Sequence, residues 1–147
     1  MNQRISRPPR ILLIEDNPED ARLVKECLFQ ERHSAELTIA KDGECALGIL
    51  AEGAEGRRPL PDLVLLDLNM PRIDGHEVLA EIKKSPELRS IPVIVLTSSS
   101  CESDVRQAYD LQASSYIVKP GNLDDLESVI RSIVHFWFES ARLPERR

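Results

Sequence analysis

The chain has 147 residues, with 19 Lys and Arg against 25 Asp and Glu, a formal net charge of −6. That length suits one compact domain with a sizeable core and leaves no room for a second, separately folded output module. The negative balance is the wrong sign for a protein that grips nucleic acid, and no apolar window is long enough to span a membrane.

The opening M-N-Q-R-I-S-R-P-P-R has no apolar core of the kind a signal peptide needs, and residues 1–9 read as a disordered arm. The short positive clusters Arg4/Arg7/Arg10 and Arg142/Arg146/Arg147 read as solvated tails. The first apolar run, 11–14, predicts a strand. A helix over 18–30 follows, with Asn17 as its N-cap, Pro18 at its first position and Asp20 in its first turn. Further strands are predicted at 37–39, 63–66, 93–96 and 116–118, and further helices at 44–52, 76–84, 103–112 and from 123 onward. The longest loop is expected at 53–61. The strands lack strict alternation, which predicts cover on both faces. Strands alternating with helices imply crossover units and a doubly wound parallel α/β sheet.

Three cysteines, Cys27, Cys45 and Cys101, are odd in number and widely spaced. Reduced thiols in a cytoplasmic setting fit them better than a disulfide framework or a metal cluster. His33, His76 and His135 show no ligand spacing and read as exposed or partly packed.

In an open parallel sheet, function gathers where the strands end at their carboxyl edge. The first strand there ends in Glu15-Asp16, the third in Asp67, the fourth in Thr97 and the fifth in Lys119-Pro120. Asp67 follows a wholly apolar run, and a carboxylate so placed is costly unless something opposes it. Asp16 and Asp67 side by side would repel unless a divalent cation lay between them, and hard oxygen ligands of this kind suit Mg²⁺. The carbonyl of Asn69 is a further candidate ligand, with Glu15 acting through water. A carboxylate beside Mg²⁺ can accept a phosphoryl group. Lys119 then offers a positive charge, and Thr97 a hydroxyl, to the phosphoryl oxygens.

The motifs I-L-L-I-E-D-N, L-D-L-N-M-P-x-x-D-G, V-L-T-S and K-P, in this order at these strand ends, resemble the receiver domain of bacterial two-component response regulators, over residues 10–135. The resemblance implies a five-stranded flavodoxin-like sheet of order 2-1-3-4-5 with five helices. It implies that Asp67 is the phosphoacceptor, that Glu15, Asp16, Asp67 and Asn69 hold the metal, and that Lys119 and Thr97 serve the phosphoryl group. Thr97 and Tyr116 match the family's switch pair, in which the threonine's movement lets the aromatic ring turn inward. The Lys119–Pro120 bond is expected to be cis, and Gly75 is expected to relax the backbone angles of the turn into the third helix. Asn122 reads as the N-cap of the last helix.

That last helix has two apolar stripes, and Phe136, Trp137 and Phe138 are three of the six aromatic residues of the chain. Apolar surface beyond what one sheet needs predicts a partner interface. The ending H-F-W-F-E-S-A-R-L-P resembles the stand-alone response regulators of bacterial and cyanobacterial phytochromes. From this come a receiver over 10–138 and a tail over 139–147 that supports a homodimer through the fourth helix, fifth strand and fifth helix. A phytochrome-type sensor histidine kinase is implied as phosphodonor, with output by contact with a downstream protein and no role for nucleic acid or membrane. Two alternatives are an aspartate-nucleophile phosphohydrolase and a pseudo-receiver that ignores phosphate. The first usually carries a second Asp two residues after the nucleophile as acid/base, where this chain has Asn69; the complete strand-end set opposes the second.

Overall fold

The computed structural model describes residues 7–29 and 35–146. In chain order it contains β1 (Arg10–Ile14), α1 (Pro18–Phe29), β2 (Glu36–Ala40), α2 (Gly43–Ala54), β3 (Leu63–Leu66), α3 (Gly75–Lys84), β4 (Val93–Thr97), α4 (Glu102–Asp110), β5 (Ser115–Val118) and α5 (Leu123–His135). A π-helical turn, Phe136–Ser140, continues α5. All five strands are parallel, in the order β2-β1-β3-β4-β5.

The apolar runs divide their side chains between two layers. Leu12, Ile14, Val64, Leu66, Val93 and Val95 face α2 and α3, meeting Leu50, Val78, Leu79 and Ile82. Their alternates Ile11, Leu13, Leu63, Leu65, Ile94 and Leu96 face α1 and α5, meeting Val24, Leu28, Ile130 and Ile133. Each fully buried Leu or Val stabilises the fold by about 1.5–3 kcal/mol before chain entropy is set against it. β3 and β4 are buried along their whole length, so the backbone that leads into Asp67 is held on both faces.

Helix starts follow local chemistry. Asn17 Oδ1 accepts from the backbone N–H of Glu19 and Asp20 at 2.9 and 3.2 Å. Asp42 accepts from Cys45 at 2.7 Å, and Asp74 forms a reciprocal capping box with Glu77. Asn122 accepts from Asp125 at 2.9 Å, as expected. By contrast, Cys101 heads α4 with no side-chain cap.

Several expectations change. Gly53 belongs to α2, so the loop begins two residues later than predicted. α4 starts and stops slightly earlier than the predicted 103–112. The arm over 1–9 is ordered from Arg7, while residues 1–6, Arg4 among them, lie outside the described residues. Arg7 donates from Nη1 and Nη2 to the fully buried Asp62 at 2.8 and 3.1 Å, and the Pro9 carbonyl accepts from Glu36 at 2.8 Å. At the other end Leu143 is buried in the α1/α5 layer, and Arg146 donates to Ser90 Oγ at 3.1 Å. Arg7 and Arg146 are therefore both clasped to the amino edge of the sheet, Arg7 by the buried charge of Asp62 and Arg146 by Ser90, while Arg147 lies outside the described residues. His76 is likewise buried, its Nε2 3.2 Å from the Asp104 carbonyl, while His33 lies outside the described residues.

Candidate functional site

Strand register brings the chemistry together. Ile14 pairs with Leu66, so the next residues, Glu15 and Asp67, leave β1 and β3 side by side. The Asp67 N–H donates to the Ile14 carbonyl at 3.0 Å, and the Lys119 N–H to the Thr97 carbonyl at 2.7 Å. Glu15, Asp67, Thr97 and Lys119 are thus each the last of a strand or the first beyond it, where the backbone is still held by the ladder.

Carboxylate oxygens of Glu15, Asp16 and Asp67 lie within 4.8 Å of one another. Glu15 and Asp67 are buried and Asp16 is exposed, so the cluster has two fixed oxygens and an open side. Three hard oxygen donors of this kind fit a divalent cation that keeps part of its water. Asn69 lies at the rim, its N–H donating to Asp67 Oδ1 at 3.3 Å.

Among the described residues, the cation paired with the cluster is Lys119. Its Nζ lies 2.7 Å from Glu15 Oε1, 2.9 Å from Asp20 Oδ2 and 3.5 Å from Asp67 Oδ2. Burial pushes the Glu15 carboxyl up to about 7; Lys119 opposes that shift and the Asp67 charge reinforces it. Burial works against the Lys119 ammonium, but hydrogen bonds to Glu15 and Asp20 outweigh it and hold the group well above its ordinary range. Asp20 is the member of this group that sequence reasoning placed only as a favourable charge in a helix turn. Its signal was available: it is an acid in the first turn of the helix that follows the Glu15-Asp16 strand end directly.

Among the described residues no peptide bond is cis, so the Lys119–Pro120 bond is trans rather than cis as expected. Trans is the intrinsically favoured isomer of such a bond, by about 0.5–1 kcal/mol, and from it Lys119 still reaches into the crevice. Gly75 also serves differently from expectation, having no positive φ. A Cβ there would sit 2.5 Å from the Asp67 carbonyl oxygen and 2.6 Å from Leu68 Cα, so the residue is needed for close approach of α3 to the strand end.

Thr97 is wholly buried, and its Oγ1 has no hydrogen-bond partner among the described residues. An orphaned hydroxyl at a strand end beside this cluster is a donor kept for something else. Tyr116 packs on the α2/α3 layer and donates from its hydroxyl to the Ser99 carbonyl at 2.9 Å, while Ser99 Oγ donates to Asp104 at 2.6 Å. The β4–α4 loop thus ties the Thr97 strand end to the Tyr116 ring.

The Response regulator receiver domain family matches residues 11–131. The chain belongs to the response regulator receiver family. This receiver is 47% identical over 141 residues to response regulator Rcp1 of Synechocystis sp., an alignment covering 95% of this chain and 96% of Rcp1. The crystal structure of the Mn(2+)-bound form of Rcp1 superposes on it with a TM-score of 0.87 at 46% identity, covering 94% of this chain and all of the other. The phosphorylated cyanobacterial phytochrome response regulator RcpA gives a TM-score of 0.89 at 42% identity, over 95% of this chain and 100% of its own. The receiver's role is phosphoacceptor signalling, RcpA among its relatives is a phytochrome response regulator, and its acidic cluster fits the divalent metal binding typical of the family. No helix among the described residues is long and apolar enough to cross a membrane.

Of the three clustered aromatics, Phe138 is only 7% exposed and packs in the receiver's own α1/α5 layer, so it does not present itself to a partner as expected. Phe136 is 52% exposed and meets Trp137 edge-on at 5.1 Å between ring centroids. With Ile117, Val129 and Ile133 they line a groove of about 330 Å³ beside the edge strand β5.

Proposed function

We propose that the protein takes a phosphoryl group from the phosphohistidine of a sensor histidine kinase onto Asp67, with Mg²⁺, and signals through protein contact. The observation that carries this reading is the position of Asp67, a buried carboxylate between an acidic cluster and the Lys119 ammonium. An Asp67 carboxylate oxygen forms the new O–P bond while the N–P bond of the donor breaks, the electron pair leaving on the imidazole nitrogen. Lys119 compensates charge on the phosphoryl oxygens, and the free Thr97 hydroxyl donates to one of them. Glu15, Asp16, Asp67 and the Asn69 carbonyl would hold Mg²⁺, which when bound neutralises the phosphoryl oxygens. At position 69 the amide can neither give nor take a proton, which favours a switch over a turnover hydrolase.

Similarity to Rcp1 and RcpA supports a phytochrome-type kinase as donor. Thr97 engaging the phosphoryl group would pull on the loop that Tyr116 holds through Ser99, passing the signal to the α4-β5-α5 face. On that face the Phe136/Trp137 groove supports a homodimer and contact with a downstream protein.

Intact-mass measurement after incubation with acetyl phosphate and Mg²⁺ tests the acceptor. The wild type should gain one phosphoryl group and Asp67→Asn none; an unmodified wild type under kinase and small donors alike would falsify the assignment. Light scattering across a concentration series tests the dimer, and a monomer throughout, or no effect of Trp137→Ala, counts against it.

A further inference from the structure

Lys119 has three N–H bonds, and their nearest partners are unequal. Glu15 at 2.7 Å and Asp20 at 2.9 Å are within charged hydrogen-bond range, whereas Asp67 at 3.5 Å is not. Glu15 belongs to the acidic cluster that fits a cation, and Asp67 is the proposed acceptor. Asp20 belongs to neither group. It approaches from the first turn of α1, which is fixed from below by the Asn17 cap on the Asp20 N–H itself. It is fixed from the side by packing of Ala21 and Val24 in the α1/α5 layer. The backbone beneath Asp20 is thus fixed, and its carboxylate competes for the lysine from a set position.

Resting on the reading of Asp67 as acceptor, the geometry points to Asp20 as a positioning residue that holds Lys119 back from Asp67 in the resting protein and so slows phosphoryl loading. To bond a phosphoryl oxygen at Asp67, Lys119 Nζ must close on an acceptor from which it stands 3.5 Å away, and that movement lengthens its contacts with Glu15 and Asp20. Glu15 sits nearer Lys119, but its carboxylate is also part of the acidic cluster. The contact that loading can give up without disturbing that cluster is the one to Asp20. Because the Asp20 side chain is partly exposed, this bond is broken at modest cost and sets a rate without blocking the reaction.

The test is the time course of phosphoryl gain by intact mass, with acetyl phosphate varied at saturating Mg²⁺. Asp20→Asn, which keeps shape and removes charge, should raise the maximal loading rate about fivefold, equivalent to about 1 kcal/mol for a partly exposed charged pair. The donor concentration for half-maximal rate should stay unchanged. Asp20→Glu, which keeps the charge within reach of Lys119, should return the rate toward wild type. Glu19→Gln removes the same charge from an exposed neighbour in the same turn and should leave the rate as it is. Equal acceleration by Asp20→Asn and Glu19→Gln would mean that overall charge repels the donor, and the latch would be wrong. An unchanged or slower Asp20→Asn, with a melting temperature matching wild type, overturns it as well. A wild type that gains no phosphoryl group overturns the acceptor reading and the latch together, whereas a loading wild type with an indifferent Asp20→Asn overturns the latch alone.

Discussion

Replacing Gly75 with alanine probes how tightly α3 is set against the strand end that carries Asp67. The added Cβ would lie 2.5 Å from the Asp67 carbonyl oxygen, 2.6 Å from Leu68 Cα and 2.9 Å from Leu68 Cδ2. Ordinary contact between such atoms begins at about 3.5 Å, so a gap of about 1 Å must open. Two of the three atoms are backbone, and that backbone is pinned: the Gly75 N–H donates to the Leu68 carbonyl at 2.9 Å, and Leu68 is buried. Overpacking of this kind costs about 2–3 kcal/mol, and the reduced freedom of the unfolded alanine chain returns about 0.5–1 kcal/mol. The net loss of about 2 kcal/mol should lower the melting temperature by about 4–8 °C for a domain of this size. Displacing the Asp67 carboxylate by about 1 Å should slow loading from acetyl phosphate about ten- to hundredfold. Gly48→Ala is the matched control. Nothing lies within 4 Å of a Cβ there, and in mid-helix it should stabilise by about 0.5–1 kcal/mol with loading unchanged. A Gly75→Ala protein that melts and loads like wild type would refute the close-approach argument.

Thr97→Val keeps the shape of a buried side chain and removes a hydroxyl that has no partner among the described residues. It should leave stability equal or higher by about 1 kcal/mol in urea unfolding while slowing phosphoryl gain; a large destabilisation would mean that the hydroxyl is bonded in the resting fold. Arg7→Ala strands the buried Asp62 with the Arg10 N–H at 2.8 Å as its remaining short hydrogen bond. It should cost about 3 kcal/mol in the same assay, and a loss under about 1 kcal/mol would place Arg7 among ordinary surface pairs. The Glu15 carboxyl, raised from 4.5 to about 7, takes up a proton in the folded state that the unfolded chain has released. With a chelator present, stability should therefore fall as pH rises between those values, by no more than about 3 kcal/mol, and Glu15→Gln should flatten that slope. An identical slope in the variant would assign it to another group.

Much of the site was legible because parallel register is simple. Five apolar runs fix five strand ends, and Glu15, Asp16, Asp67, Thr97 and Lys119 occupy four of them by position alone. Contacts that depend on how helices are set over the sheet were less accessible. Asp20 meets Lys119 across 99 positions of sequence, which requires the Lys119 side chain to reach from the end of β5 to the start of α1. Phe138 looked like part of an exposed aromatic cluster because it is consecutive with Phe136 and Trp137, yet it stands four residues after the buried Val134 and so turns into the α1/α5 layer. The Arg7–Asp62 pair was invisible because an arginine in a polar terminus and an aspartate before a strand are each unremarkable until packing removes the water between them.

The clasps of Arg7 on Asp62 and Arg146 on Ser90 have a practical consequence for the geometry of attachment. Both ends of the described chain leave the molecule where the strands begin, whereas the Asp67 crevice opens where they finish, about 15 Å away along the strands. A tether or dye joined beside Arg7 or Arg146 would therefore start on the side of the molecule away from the Asp67 crevice. An immobilised receiver keeps its acceptor facing the solution.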